Sequence, residues 1–100
     1  MEQTPQFERL KKAYSQRREQ FLRDAHPQAL LKLKASGQLT EHLDQIGEEA
    51  AEAYETLEGQ LRTNPDAPKE MAERLAYFQQ IPLIAEETVL NDVVFAPPSL

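Results

Sequence analysis

Residues 40–63, TEHLDQIGEEAAEAYETLEGQLRT, read as one long helix with two faces of opposite character. Leu43, Ile46, Ala50, Tyr54, Leu57 and Leu61 recur at spacings of three and four, which puts them on one side of a helix and predicts the side turned to a core. Glu41, Asp44, Glu48, Glu52 and Glu55 recur at the same spacings. At about 100° per residue these five acids fall in an arc opposite the apolar stripe. No lysine or arginine interrupts residues 41–61, so the acids lack the i,i+4 Glu–Lys pairs that ordinary solvated helices carry. Ala50, Ala51 and Ala53 break any leucine seam and predict a neighbouring helix in close approach.

Upstream, Thr4 and Pro5 form a helix start, with threonine as N-cap and proline at the first helical position. Residues 1–5 are expected to be a short arm. Phe7, Leu10, Tyr14, Phe21 and Ala25 mark the apolar stripe of the helix that follows, with Arg17 in its middle. A buried arginine there needs an acidic partner, and Tyr54 or an acid of the long helix is the expected neighbour. His26-Pro27 ends or bends this helix, because the residue before proline avoids the helical region. PQALLKLKAS, residues 27–36, predicts a short second helix with Ala29, Leu30 and Leu33 inward. Gly37 suits the position just past its end, where a left-handed conformation carries no Cβ penalty. Gln38-Leu39 makes the turn, Thr40 is the expected cap of the long helix, and Leu39 and Leu43 are placed to staple it.

Downstream, NPDAP at residues 64–68 is the clearest break in the chain. A last helical region is expected to start near Pro68, with Met71, Leu75, Phe78, Ala85, Val89 and Val93 as its stripe. Pro82 lies on that stripe and predicts a kink or break, because its missing N–H leaves the Phe78 carbonyl without a donor. LIAEETVLNDVVF, residues 83–95, is apolar over a wide arc and predicts packing on more than one side, with residues 93–95 helical or extended. Residues 96–100 form a tail. The whole is one all-α domain over residues 1–100: a small bundle of four or five helices, with the long acidic helix at its centre and a kinked C-terminal helix hairpinned against it.

Charge is unevenly spread. Residues 1–34 hold 8 of the 11 basic residues and 4 of the 17 acids, for a net +4; residues 35–100 hold the other 3 and 13, for −10. The two parts either neutralise one another by packing side by side or display one face to a charged partner. There is no cysteine, which excludes disulfides, thiolate catalysis and zinc–cysteine sites. The N-terminal run MEQTPQFERLKK lacks the apolar stretch of a signal peptide, and no segment approaches the roughly 18 apolar residues of a membrane span. A cytoplasmic protein is expected.

Catalytic chemistry has little support. The two histidines, His26 and His42, sit in neither an HExxH nor a Glu-x-x-His pattern, and read as a turn residue and an exposed polar residue. Gly37, Gly47 and Gly59 are too scattered to cradle phosphate, and Ser15, Ser36 and Ser99 have no base beside them in sequence. Glu48, Glu52 and Glu55 on one helix face suit a solvated surface better than a cation site, which draws oxygens from several elements. No cofactor, metal or enzymatic activity is expected. The aromatic residues Phe7, Tyr14, Phe21, Tyr54 and Phe78 lie at core spacing.

Three stretches carry a family resemblance: FLRDAHPQALLKLKASGQLTEHLDQI from residue 21, EEAAEAYETLEGQL from residue 48, and AEETVLNDVVFA over residues 85–96. Together residues 21–96 resemble the transposon-encoded TnpV family. The resemblance implies a small helical protein carried by bacterial mobile elements. None of the three stretches is a catalytic motif, so the resemblance supplies no functional residues.

Two surfaces remain as candidates. The acidic row Glu41, Asp44, Glu48, Glu52 and Glu55 suits a protein partner with a basic surface on nucleic-acid-handling machinery, such as a CRISPR effector, which a rigid acidic rod would inhibit by occupying a channel meant for nucleic acid. Arg9, Lys12, Arg18 and Arg23 of the first helix form the alternative, an accessory surface that binds nucleic acid directly. Against that alternative stands an acidic chain with pI ≈ 4.9. A helical homo-oligomer is the third reading.

Overall fold

A computed structural model describes residues 4–99. Four α-helices follow one another: α1 (Pro5–Ala25), α2 (Pro27–Ala35), α3 (Leu39–Arg62) and α4 (Met71–Val89), the last running into a π-helical turn, Leu90–Val94. Residues 1–3 of the expected arm and residue 100 of the expected tail lie outside the described residues.

The helix ends follow local chemistry. Thr4 Oγ1 accepts from the Phe7 N–H at 3.0 Å, with Pro5 at the first helical position. His26 closes α1 and opens α2. Gly37 takes φ 74°; its N–H donates to the Lys34 carbonyl and the Gln38 N–H to the Leu33 carbonyl, a Schellman end. That closure delivers the chain directly into α3, so Leu39 is already helical, and Gln38 rather than Thr40 stands at the cap position. α4 starts three residues later than Pro68. Glu70 selects the start by accepting the Glu73 N–H at 3.0 Å, and the two backbone N–H groups beside it hold its carboxyl below the usual range. Asn64 Oδ1 accepts the Asp66 N–H at 3.0 Å and closes the intervening loop as an Asx turn.

α3 is the spine. α1 makes the most extensive pairing with it, α4 packs beside α1 on the same spine, and α1 and α4 do not pair directly. The result is a slab, 55 × 31 × 17 Å. Its core joins Tyr14 of α1, Ala50 and Tyr54 of α3, Ala85 and Val89 of α4 and Val94 of the π-helical turn. A second cluster, Leu22, Leu30 and Leu33, lies under α2. The alanines of α3 do admit close neighbours, since Ala50 and Ala51 are fully buried. Gly47 brings α1 nearest: a Cβ there would meet Ser15 Oγ and lie 2.5 Å from the Lys11 carbonyl oxygen.

Three expectations are corrected. On α1 the buried face runs Phe7, Tyr14, Arg18 and Leu22, while Arg17 and Ala25 are exposed. The stripe follows i,i+4 steps from Tyr14 because α2 folds back over Leu22. On α4 the buried face is Ile81, Ala85 and Val89, and Pro82 is exposed. The helix therefore runs through Pro82 without a break, with the proline ring on the solvent side rather than in the packed face. In the apolar segment after Pro82 Leu83 and Ile84 are exposed, while its π-helical turn, Leu90–Val94, packs against both α1 and α3 as the wide apolar arc led one to expect. Val93-Val94-Phe95 ends neither α-helical nor extended: the Phe95 N–H donates to the Leu90 carbonyl, five residues back, at 2.8 Å.

Candidate functional site

The 24 residues of α3 rise about 36 Å. Of its acids Glu41, Asp44, Glu48 and Glu52 are exposed and Glu55 is half-buried. Among the described residues the ion pairs are Arg23–Glu19 and Arg62–Glu58, each within one helix. None of the five acids is in an ion pair among the described residues. The basic α1 lies against the acidic α3, yet no ion pair joins the two helices among the described residues. Lys11 and Lys12 line, with Glu8, Glu19 and Asp44, a groove of about 420 Å³ at the α1–α3 seam. On the other flank Glu49, Glu52 and Asp92 line a groove between α3 and the C-terminal end of α4. Among the described residues no group of three or more histidines and acids is arranged to hold a metal ion.

The basic set is not one surface. Arg9, Lys12 and Arg23 are exposed, Arg23 bridging Glu19 at 3.1 Å. Arg18 is 2% exposed. Its Nη1 donates to the carbonyl oxygens of Val94 at 2.9 Å and Ala96 at 2.5 Å, and its Nε donates to His42 Nε2 at 3.2 Å. Arg18 therefore fastens the chain's C-terminal turn and is withdrawn from any phosphate. Among the described residues it has no acidic partner; the main-chain oxygens at a helix end, which carry its negative pole, serve instead. His42 is half-buried and is a partner of this cation, not the exposed polar residue expected. Burial, then the neighbouring Arg18 charge, lower its pKa below the ordinary imidazole value.

Sequence spacing missed a cationic and aromatic end to the molecule. Arg17 lies over the Phe95 ring at 6.0 Å, and Phe21 contacts both His26 and Phe95 with ring centroids 5.2 and 5.4 Å apart. Phe21 and Phe95 are 74 residues apart in the chain, so no local pattern could join them. No described helix is long and apolar enough to cross a membrane.

Neither the curated proteins nor the solved structures hold a significant match to the chain. The model of one family, described as transposon-encoded protein TnpV, matches residues 2–94. That match runs from α1 to the π-helical turn and takes in α1 as well as the stretches from residue 21 onward that resembled the family. An all-α chain matched from one end of its fold to the other belongs to the TnpV family of transposon-encoded proteins.

Proposed function

We propose that this mobile-element protein is a non-enzymatic binding protein whose α3 acids engage a basic surface of nucleic-acid-handling machinery, in the manner of an anti-CRISPR inhibitor or a mimic of DNA. One observation carries the reading: five carboxylates stand in a row on one helix, four of them exposed and none held in an ion pair among the described residues. Neighbouring acids on a helix face recur every ~5–6 Å, a spacing comparable to that of phosphates winding along one nucleic-acid strand at about 3.4 Å rise. A row of fixed charges on a rigid rod gives a basic groove the field it meets on nucleic acid. The rod also costs the groove little ordering, because α3 is held by its opposite face.

The test is capture from a host lysate, with the wild-type chain compared against a variant carrying Glu41→Lys, Asp44→Lys, Glu48→Lys, Glu52→Lys and Glu55→Lys. The expected result is a nucleic-acid-binding protein retained by the wild type, released by salt and by competing DNA, and absent from the folded variant. Identical captured sets would overturn the reading. So would a salt-sensitive gel shift of DNA by the purified protein that is lost with Arg9→Ala and Lys12→Ala, which would assign the work to α1 instead.

A further inference from the structure

The half of α4 nearest its N-terminus carries apolar side chains that nothing among the described residues covers. Met71 is 83% exposed, Leu75 60% and Leu83 67%. At helical spacing Ala72, Leu75, Gln79 and Leu83 share one arc, and that arc carries no charge from Met71 to Leu83. Leu83 and Pro82 extend it into a mostly apolar groove between α4 and α1, where Leu10 and Ala13 form the facing wall, Tyr54 lines the bottom, and the charged Arg17 and Glu86 also line it.

From this face we infer that the protein pairs with a second copy of itself, α4 against α4 in antiparallel fashion about a two-fold axis near Gln79. From Leu75 to Leu83 the pattern is its own complement, and beyond it Ala72 faces Glu86 of the other copy. Leu75 and Leu83 each lie four residues from Gln79, and Ala76 and Pro82 each lie three. In this register Leu75 of each copy meets Leu83 of the other, small residues at the middle let the helices close, and the two Gln79 side chains meet on the axis. A two-fold contact demands such self-complementarity; a foreign partner does not.

The surface area agrees. The chain exposes 6889 Å², whereas a compact monomer of 11.4 kDa exposes about 5,800 Å². The excess of about 1,100 Å² exceeds the roughly 800 Å² that each partner buries in a standard interface. The radius of gyration, 16.2 Å against about 13 Å for a compact domain of this length, says the same of the shape. Tyr54 lies on the side of α3 opposite its acids, so pairing over this groove leaves both acidic rows uncovered.

Light scattering and sedimentation equilibrium on the full chain, over a concentration series reaching millimolar, test the inference. The expected mass is twice the 11.4 kDa of one chain. Leu75→Glu with Leu83→Glu should return it to one chain with unchanged helical circular dichroism. Leu31→Glu, at an exposed leucine of α2, should leave it doubled. The chain has no cysteine, so Gln79→Cys should oxidise to a covalent pair faster than Leu31→Cys does. A wild-type mass of one chain throughout, a pair that survives the two glutamates, or equal oxidation of the two cysteine variants would each overturn the proposal.

Discussion

Arg18 is a buried cation neutralised by carbonyls, and the geometry makes His42 its pH-sensitive neighbour. To accept from Arg18 Nε, His42 Nε2 must offer a lone pair, so the imidazole is neutral with its proton on Nδ1. Burial and the Arg18 charge lower the folded-state pKa, with Glu49 pulling weakly the other way. The unfolded chain takes up the proton near pH 6.5 while the folded chain still resists it. The stability owed to neutral His42 is therefore present above about pH 6.5 and lost as pH falls through that value toward the folded pKa. Thermal melts should be flat from pH 8 to about 7 and then descend toward pH 5. His42→Gln, whose amide oxygen accepts without titrating, should flatten that descent; an unchanged slope would remove His42 from the account. The sequence could not single out Arg18. Arg17 and Arg18 stand three and four residues after Tyr14, both compatible with its face, and the choice is made by carbonyls more than seventy residues away.

The α1–α3 seam shows how much one hydrogen atom decides between helices. Ser15 Oγ donates to the Leu43 carbonyl at 2.8 Å one turn from Gly47, where that hydroxyl and the Lys11 backbone carbonyl together block a Cβ. Gly47→Ala should lower stability, because overpacking costs about 1–3 kcal/mol and the better helix propensity of alanine returns only about 1 kcal/mol. Gly59 lies in the same helix with open space around it. Gly59→Ala should raise stability by roughly 0.5–1 kcal/mol. Urea unfolding of the two variants checks both signs, and a stabilised Gly47→Ala would show that the seam yields. The start of α1, the His26-Pro27 junction and the Gly37 end were legible because each is a local backbone problem with a single residue as its solution. The start of α4 was not: the prolines at 65 and 68 marked the loop, but a carboxylate two residues beyond them caps the helix. Pro82 was misplaced because apolar residues occupy Ile81 to Ala85 continuously, and such a run does not reveal which side is packed.

At the scale of the molecule, helix number, order and the two faces of α3 were written in periodicity, but the lateral arrangement was not. A short loop makes α4 a neighbour of α3, as the sequence suggested. The pairing of α1 with α3 crosses an intervening helix and depends on Gly47, an unremarkable residue in the pattern. That arrangement lays a chain segment of net +4 beside one of −10 while leaving the acid row without an ion pair among the described residues. It raises the question whether a partner would read the row or merely the net charge. Two neutralised variants separate these. One replaces the row with Glu41→Gln, Asp44→Asn, Glu48→Gln, Glu52→Gln and Glu55→Gln. The other replaces five exposed acids elsewhere: Asp66→Asn, Glu73→Gln, Glu86→Gln, Glu87→Gln and Asp92→Asn. Each removes five charges and takes the protein from −6 to −1. If the row is the working surface, the first variant should bind the captured partner at least about tenfold more weakly, a loss of about 1.4 kcal/mol, and the second should bind nearly as the wild type does. The first should also melt no lower, because the four like-charge steps it relieves along α3 each cost about 0.2–0.5 kcal/mol. Equal losses in the two variants would mean that the partner senses charge without pattern, and the acid row would then be only a solvated face.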